Sequence, residues 1–288
     1  MLKIENELLT ARINPVGAEL SSLIKKNTER EYIWQAEPSV WGRHAPLLFP
    51  AVGRMSGDSF IYDGKKYFMQ KHGFLRGSSF EVVEKTDNSA LLRFSSNEKT
   101  LMSFPFEFDF DAEYSLSEST LVQRLTVTNK GDGNMYFSVG AHPAFNIRIG
   151  DTLRFETPEH ATLPYLDGND TVGNPENKLI LDGETDIVLS KELSLKTARS
   201  PLKLRLRLTR SLSAVTAFRI CVRLSAKRRC SGSGQSRVRS LSALSPGAAP
   251  TSVCRQKILK TKRAFSVLLR LKASPSPSPS QYSDRTFL

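Results

Sequence analysis

His142, His72, Arg54 and Arg76 are the residues of this chain whose surroundings could support proton transfer and the binding of a polar ligand. His142 lies in Ser138-Val139-Gly140-Ala141-His142-Pro143-Ala144-Phe145-Asn146, where a strand-like run ends. A histidine at a strand end, followed by proline, is held rigidly at the mouth of a sheet. An imidazole there suits a general acid near neutral pH. Residue type alone favours a hydrogen-bonded structural histidine. His72 lies in Lys71-His72-Gly73-Phe74-Leu75-Arg76. The glycine lets backbone or ligand approach closely, and Arg76 offers a planar fork of donors. A plain loop histidine is the alternative. Arg54 ends Phe49-Pro50-Ala51-Val52-Gly53-Arg54 and, taken alone, reads as a solvated arginine. His44 and His160 have no such context and read as surface or structural residues.

The elements that must position these groups read as strands. Leu2–Asn14 and Ala18–Lys26 are two strands turned by Pro15-Val16-Gly17. Ser59–Met69 is a hairpin around Asp63-Gly64, a strong two-residue turn signal. Phe80–Lys85 and Ser89–Phe94 flank Asp87-Asn88 as a second hairpin. Phe106-Glu107-Phe108-Asp109-Phe110-Asp111 alternates strictly, one face aromatic and the other acidic, as a half-buried antiparallel strand requires. Leu121–Asn129 and Met135–Gly140 follow as strands around a turn at 129–134. No amphipathic helix is evident before Leu195. Many strands at short spacing predict an all-β sandwich or barrel.

Charge divides the chain at about Leu195. Residues 1–195 hold 28 of the 29 acidic residues and carry a net charge of −8; residues 196–288 hold 21 Lys/Arg and one acid, Asp284, for +20. The first part, with both Trp and all four His, is long and aromatic enough to bury a core. It has no cysteine, so no disulfide framework supports it, and a reducing cytoplasm is expected. Cys221, Cys230 and Cys254 lie after the break without metal-ligand spacing. The charged start Met1–Glu7 does not read as a signal peptide, and no stretch reaches the ~18–20 apolar residues of a membrane span.

Taken together, the segments are more specific than any one of them. Gly17-Ala18-Glu19-Leu20, Trp41-Gly42-Arg43, Leu48–Arg54, Tyr62–Lys65, His72-Gly73-Phe74 and Gly140–Phe145 come in an order and spacing that resemble the aldose 1-epimerase (galactose mutarotase-like) family, in its bacterial branch of uncertain sugar. The resemblance runs from Met1 to about Leu195. It implies a β-supersandwich with a carbohydrate cleft, and interconversion of the α and β anomers of an aldohexose without metal or other cofactor. A carboxylate takes the C1 hydroxyl proton and a histidine protonates the ring oxygen. By that resemblance His142 is the acid, His72 the second histidine beside the ring oxygen, and Arg54 a sugar-binding arginine. Arg76 is added as a sugar or phosphate contact.

The family's base is a Glu in a Glu-Pro-Trp segment near the C-terminus. This chain has no such segment, and no Glu after Leu195. As written it carries an acid without a base and is expected to be impaired or inactive. Residues 196–288 form a basic Ser/Arg-rich tail that ends in the Ser-Pro run 274–280. One reading is a disordered tail. Another is a frameshift near Lys196. Shifted by one base, a Ser-Pro run becomes an alternation of apolar and small residues, and the codons across Leu244–Gly247 can spell Glu-Pro-Trp. The lost base then falls at Leu244/Ser245, and the sandwich is incomplete.

Three rival functions remain: a non-catalytic carbohydrate-binding protein, a hexose-6-phosphate epimerase with Arg54 and Arg76 facing the phosphate, and nucleic-acid binding through the basic tail. The last lacks interleaved aromatics or a recognisable module. The expected partner is therefore a small sugar or sugar phosphate, with no membrane.

Overall fold

The computed structural model describes residues 1–146, 152–164, 178–188, 217–227, 259–261 and 264–272. Leu2–Asn14, read from sequence as one strand, is two: β1 (Leu2–Glu5) and β2 (Leu9–Asn14). Asn6 is the reason. Its side-chain oxygen accepts the N–H groups of Leu8 (3.0 Å) and Leu9 (2.8 Å), a local turn that competes with continued extension. β2 therefore folds back on β1, with Leu2 opposite Ile13. β3 (Glu19–Lys25) and β4 (Arg30–Glu31) complete a four-stranded antiparallel sheet in chain order. The turn before β3 needs glycine: Gly17 has φ +76°, and a Cβ there would lie 2.8 Å from the Arg76 carbonyl oxygen.

After the short β5 (Leu47–Leu48) comes the expected hairpin, β6 (Ser59–Tyr62) and β7 (Lys65–Phe68). Asp63 (φ 49°) and Gly64 (φ 71°) both adopt the left-handed conformation that a two-residue hairpin turn demands. β8 (Glu81–Lys85) and β9 (Ser89–Ser95) form the second hairpin. Between β9 and the next strand lies a helix that the sequence reading lacks, α1 (Glu98–Ser103). It is six residues long, too short to show amphipathic periodicity. A reciprocal cap starts it: Asn97 accepts from the Thr100 N–H, and the Thr100 hydroxyl accepts from the Asn97 N–H.

β10 (Phe108–Ser117) and β11 (Thr120–Asn129) are the longest strands within residues 1–146. β10 starts two residues later than the alternation suggests, because Phe106 turns back to donate its N–H to the Phe104 carbonyl at 2.8 Å. β12 (Met135–Phe137), β13 (Gly140–Ala141), β14 (Thr152–Pro164), β15 (Lys178–Val188), β16 (Ala217–Lys227), β17 (Leu259–Thr261) and β18 (Ala264–Lys272) follow. The larger sheet has eight strands in the order β15-β14-β16-β18-β11-β10-β9-β8. The all-β expectation holds. Within the basic region, three described segments are strands, and β18 pairs antiparallel with β11. Residues 189–216, Leu244, Ser245 and the Ser-Pro run lie outside the described residues.

The inner face of the large sheet is the core. Phe108, Phe110, Ala112, Tyr114 and Leu116 of β10 are buried, facing the same way as Leu92 and Phe94 of β9 and Leu121, Leu125 and Val127 of β11. Each large apolar side chain so buried contributes ~1.5–3 kcal/mol relative to exposure. The alternate residues Asp109, Asp111 and Glu113 face outward and pair across strands, Arg93 to Asp111 by two bonds of 2.7 and 2.8 Å. The Asp111 carboxylate raises the pKa of that guanidinium further above its ordinary value. Phe49 joins the core to the loops above: it is fully buried and its ring meets Phe74, Phe104, Phe108, Phe110 and Phe137.

Candidate active site

Two backbone segments, 44–54 and 138–146, carry the site. β13 pairs with β5, and the pairing continues beyond both: the His142 N–H donates to the Pro46 carbonyl at 2.9 Å, and the Ala144 N–H to the His44 carbonyl at 2.9 Å. His142 is therefore fixed by its backbone at a strand end, with its ring half-exposed. The 44–54 segment is held in turn by Glu19, a carboxylate only 4% exposed. One Glu19 oxygen accepts the N–H groups of His44 (2.7 Å) and Ala45 (2.9 Å). That acceptance compensates the burial of the carboxylate and holds the segment to which His142 bonds.

His72 is pinned from the other side. Phe49 and Gly73 form an isolated parallel bridge. A Cβ on Gly73 would sit 2.1 Å from the Phe49 carbonyl oxygen, so only glycine allows this approach. His72 itself has φ +69°, a left-handed conformation unusual for a residue with a side chain. Such strain of ~1–3 kcal/mol persists where the surroundings over-determine it, and functional sites are a common setting. The surroundings here are plain: the Gly53 N–H donates to His72 Nδ1 at 2.9 Å, and the His72 N–H donates to the Gly53 carbonyl at 2.8 Å. Nδ1 is thus an acceptor, which leaves the proton of the neutral ring on Nε2.

The structure brings His72 and His142 together, with ring centroids 6.3 Å apart. Trp41 also packs against His142, with ring centroids 5.0 Å apart. Arg76 is tied to the same place: its guanidinium donates to the Lys71 carbonyl at 3.3 Å, and Arg43 donates to the Arg76 carbonyl at 3.2 Å. Partial burial, and then the Arg43 charge, push the Arg76 pKa below its ordinary value. Arg54 is placed differently. It makes a bidentate pair with Asp58 at 2.8 and 2.7 Å and lines a neighbouring cavity of about 520 Å³ with Phe68, Gln70 and Lys71. The hydrogen bond from Arg54 holds the Asp58 carboxyl below the usual carboxylate range.

His44 makes structural contacts, its Nδ1 lying 2.7 Å from the Trp34 carbonyl oxygen. The backbone of His160 is in β14, opposite Asp182. Trp41, Arg43 and Glu19 had no assigned role in the sequence reading, although all three lie in the segments that carry its resemblance. The signal available for Glu19 was an acid directly after the Gly17-Ala18 turn, at the head of β3. Among the described residues, no group of three His, Cys, Asp or Glu is placed to hold a metal ion, and no helix is long and apolar enough to cross a membrane.

Comparison with known proteins bears on this arrangement. The sequence pattern of the aldose 1-epimerase family matches residues 1–223, which runs past the compositional break at Leu195. LacX of Lactococcus lactis subsp. lactis (chromosomal) is 29% identical over 219 residues, covering 69% of this chain and 73% of that protein. A galactose mutarotase related enzyme from Lactobacillus acidophilus is 35% identical with a TM-score of 0.59, covering 67% of this chain and 66% of that one. A galactose mutarotase-like protein from Lactobacillus casei is 32% identical with a TM-score of 0.58, covering 67% and 68%. The chain thus spans about two thirds of the length of these solved structures. With a strand-rich fold and a family match over most of its length, the chain belongs to the aldose 1-epimerase family.

Proposed function

We propose that this fold serves the interconversion of α and β anomers of an aldohexose. The observation that carries the reading is the His72–His142 pair, two half-exposed imidazoles with centroids 6.3 Å apart on rigid backbone. Both rings can reach one small ligand at that separation. His142 donates a proton to the ring oxygen as the bond from that oxygen to C1 breaks. The Nε2–H of His72 is a donor suited to the same oxygen. A carboxylate must take the C1 hydroxyl proton, which leaves an open-chain aldehyde. Rotation about C1–C2 and reversal of the proton transfers then give the other anomer. General acid–base catalysis of this kind contributes ~10²–10⁴-fold.

The base is the missing part. No Glu follows Leu195, and we read residues 196–288 as the product of a frameshift near Lys196, with residues 1–195 as the partial sandwich. Two experiments test the pair of readings. Resequencing the gene across codons 185–288 should reveal a base gained or lost near codon 196; a confirmed sequence sinks the frameshift. Polarimetry on fresh α-D-glucose or α-D-galactose should show no acceleration by the chain as written and clear acceleration once the frame is restored, lost again in His142→Asn. A restored chain that binds sugar by calorimetry without accelerating exchange would be a carbohydrate-binding protein instead.

A specific observation favours a second reading, a sugar phosphate as substrate. Arg43 and Arg76 are close enough for one charge to perturb the other. Arg43 already has the Glu19 carboxylate at 3.7 Å, and an anion beside Arg76 would offset the charge that remains. With the restored chain, Arg76→Gln should then raise KM for a hexose 6-phosphate and leave KM for the free hexose nearly unchanged.

A further inference from the structure

A second cavity, of about 360 Å³, takes no part in the acid–base chemistry. The β6–β7 hairpin contributes Phe60 and Tyr62 to its walls, the approach to β10 contributes Phe104 and Phe106, and β12 contributes Tyr136 and Phe137. Pro50 and Ser138, from the two segments that carry the histidines, complete it. They are tied to each other there: the Ser138 N–H donates to the Pro50 carbonyl, and the Ser138 hydroxyl accepts the Val52 N–H, both at 2.8 Å. None of His72, His142, Arg54 and Arg76 lines this space. Its volume falls at the lower end of the range of small-molecule pockets, ~300–1,000 Å³.

The lining selects the ligand class. Among the described residues no charged side chain belongs to it, so an anion or an ammonium would lose its hydration without a counter-charge. The strongly polar side-chain groups are three hydroxyls, those of Tyr62, Tyr136 and Ser138. A sugar, polar on every side, would leave most of its own hydroxyls unmatched there. The rings are tilted against one another rather than stacked. Tyr62 meets Phe106 at 4.7 Å and 58°, Phe106 meets Phe104 at 4.8 Å and 55°, and Tyr136 stands 6.3 Å from Tyr62 at 54°. Rings so set offer both faces and edges, the contacts that an aromatic guest can use and an aliphatic one cannot. Met55 adds a flexible, polarizable thioether that suits a ring edge. Ile61, 76% exposed, extends the apolar lining to the surface and gives a way in. Left unfilled, such walls forfeit dispersion contacts that a guest would restore.

We propose that this cavity binds a small uncharged aromatic molecule, of the size of a phenol or an indole, independently of any sugar at His72 and His142. Isothermal titration of the full chain with indole, p-cresol and benzoate tests it. Indole or p-cresol should saturate a single site and bind at least about tenfold more tightly than benzoate, which brings a ring of similar size with a charge. Met55→Trp grows a side chain into the space and should abolish that binding. Tyr62→Leu, on the half-exposed hairpin, removes one ring and should weaken it by about threefold to tenfold, the worth of one aromatic contact. Melting curves check that each variant folds, and either variant alone decides the question if the other does not. Binding that neither variant changes, equal affinity for benzoate, or no binding of indole and p-cresol overturns the proposal. Self-association of the chain in sedimentation, abolished by Met55→Trp, also overturns it and gives the cavity to a second copy.

Discussion

Gly53 and His72 are joined by two hydrogen bonds that run in opposite directions, 2.9 Å into the ring Nδ1 and 2.8 Å out of the His72 N–H. One backbone unit therefore fixes both the main chain and the tautomer of a candidate catalytic side chain. Ring-labelled ¹⁵N NMR is expected to show the His72 proton on Nε2 at neutral pH. His72→Ala removes the ring acceptor while the left-handed backbone remains, and should cost ~1–3 kcal/mol by denaturant titration.

Gly73 should be the least replaceable residue of the site. An added Cβ meets the Phe49 carbonyl oxygen at 2.1 Å, a contact that neither backbone can absorb without shifting. Gly73→Ala is expected to lower stability by at least ~2 kcal/mol, read as a lower urea midpoint at unchanged slope. Gly64→Ala, where nothing lies within 4 Å and only the conformation is strained, should cost less, about 1 kcal/mol.

Glu19 should behave as a structural acid. Glu19→Ala leaves the His44 and Ala45 N–H groups without their buried acceptor, at ~1–3 kcal/mol for each. Glu19→Gln keeps a carbonyl oxygen for both and should cost less than half as much in the same urea titration.

Tyr114 carries a pH dependence. Its hydroxyl is fully buried, donates to the Ala18 carbonyl at 2.6 Å and accepts from Gln123. Burial raises its pKa above the ordinary ~10. The sign follows: above pH ~10 the unfolded chain loses this proton and the folded chain keeps it, so unfolding gains and stability falls with rising pH. Below that range the contribution is fully present. Tyr114→Phe should flatten the fall between pH 10 and 11, and cost ~1–3 kcal/mol at pH 7 by leaving Ala18 and Gln123 unpartnered.

The outward ion pairs should matter little by comparison. Arg93 and Asp111 make good geometry on a solvated face, with side chains 40% and 18% exposed. Arg93→Leu is expected to cost under ~1 kcal/mol, and less still in 1 M salt.

The hairpins and the long strands were legible because their turns and alternation are local signals. Asp63-Gly64 and the Phe108–Asp111 alternation each state their geometry within a few residues. The break at Asn6 was not legible, because a single side chain makes it inside an otherwise strand-like run. α1 was hidden by its brevity and by a cap in which Thr replaces the usual Glu. In the site, the pairing of His72 with His142 emerged only through resemblance. Residues 72 and 142 meet because two distant segments bond to 46–53, which no local pattern encodes. The pairing of Arg54 with Asp58 is local, four residues apart across the turn at Ser56–Asp58, and depends on left-handed backbone at Gly57 and Asp58 that the sequence does not announce.

Phe49 supplies the ring around which the core aromatics gather and the carbonyl that receives the Phe74 N–H at 3.2 Å, beside Gly73. The stretch that carries His72 thus has no hinge of its own. Deuterium should enter the amides of His72 and Phe74 only when the whole core opens, at the slow rate of global unfolding rather than the rate typical of a surface loop.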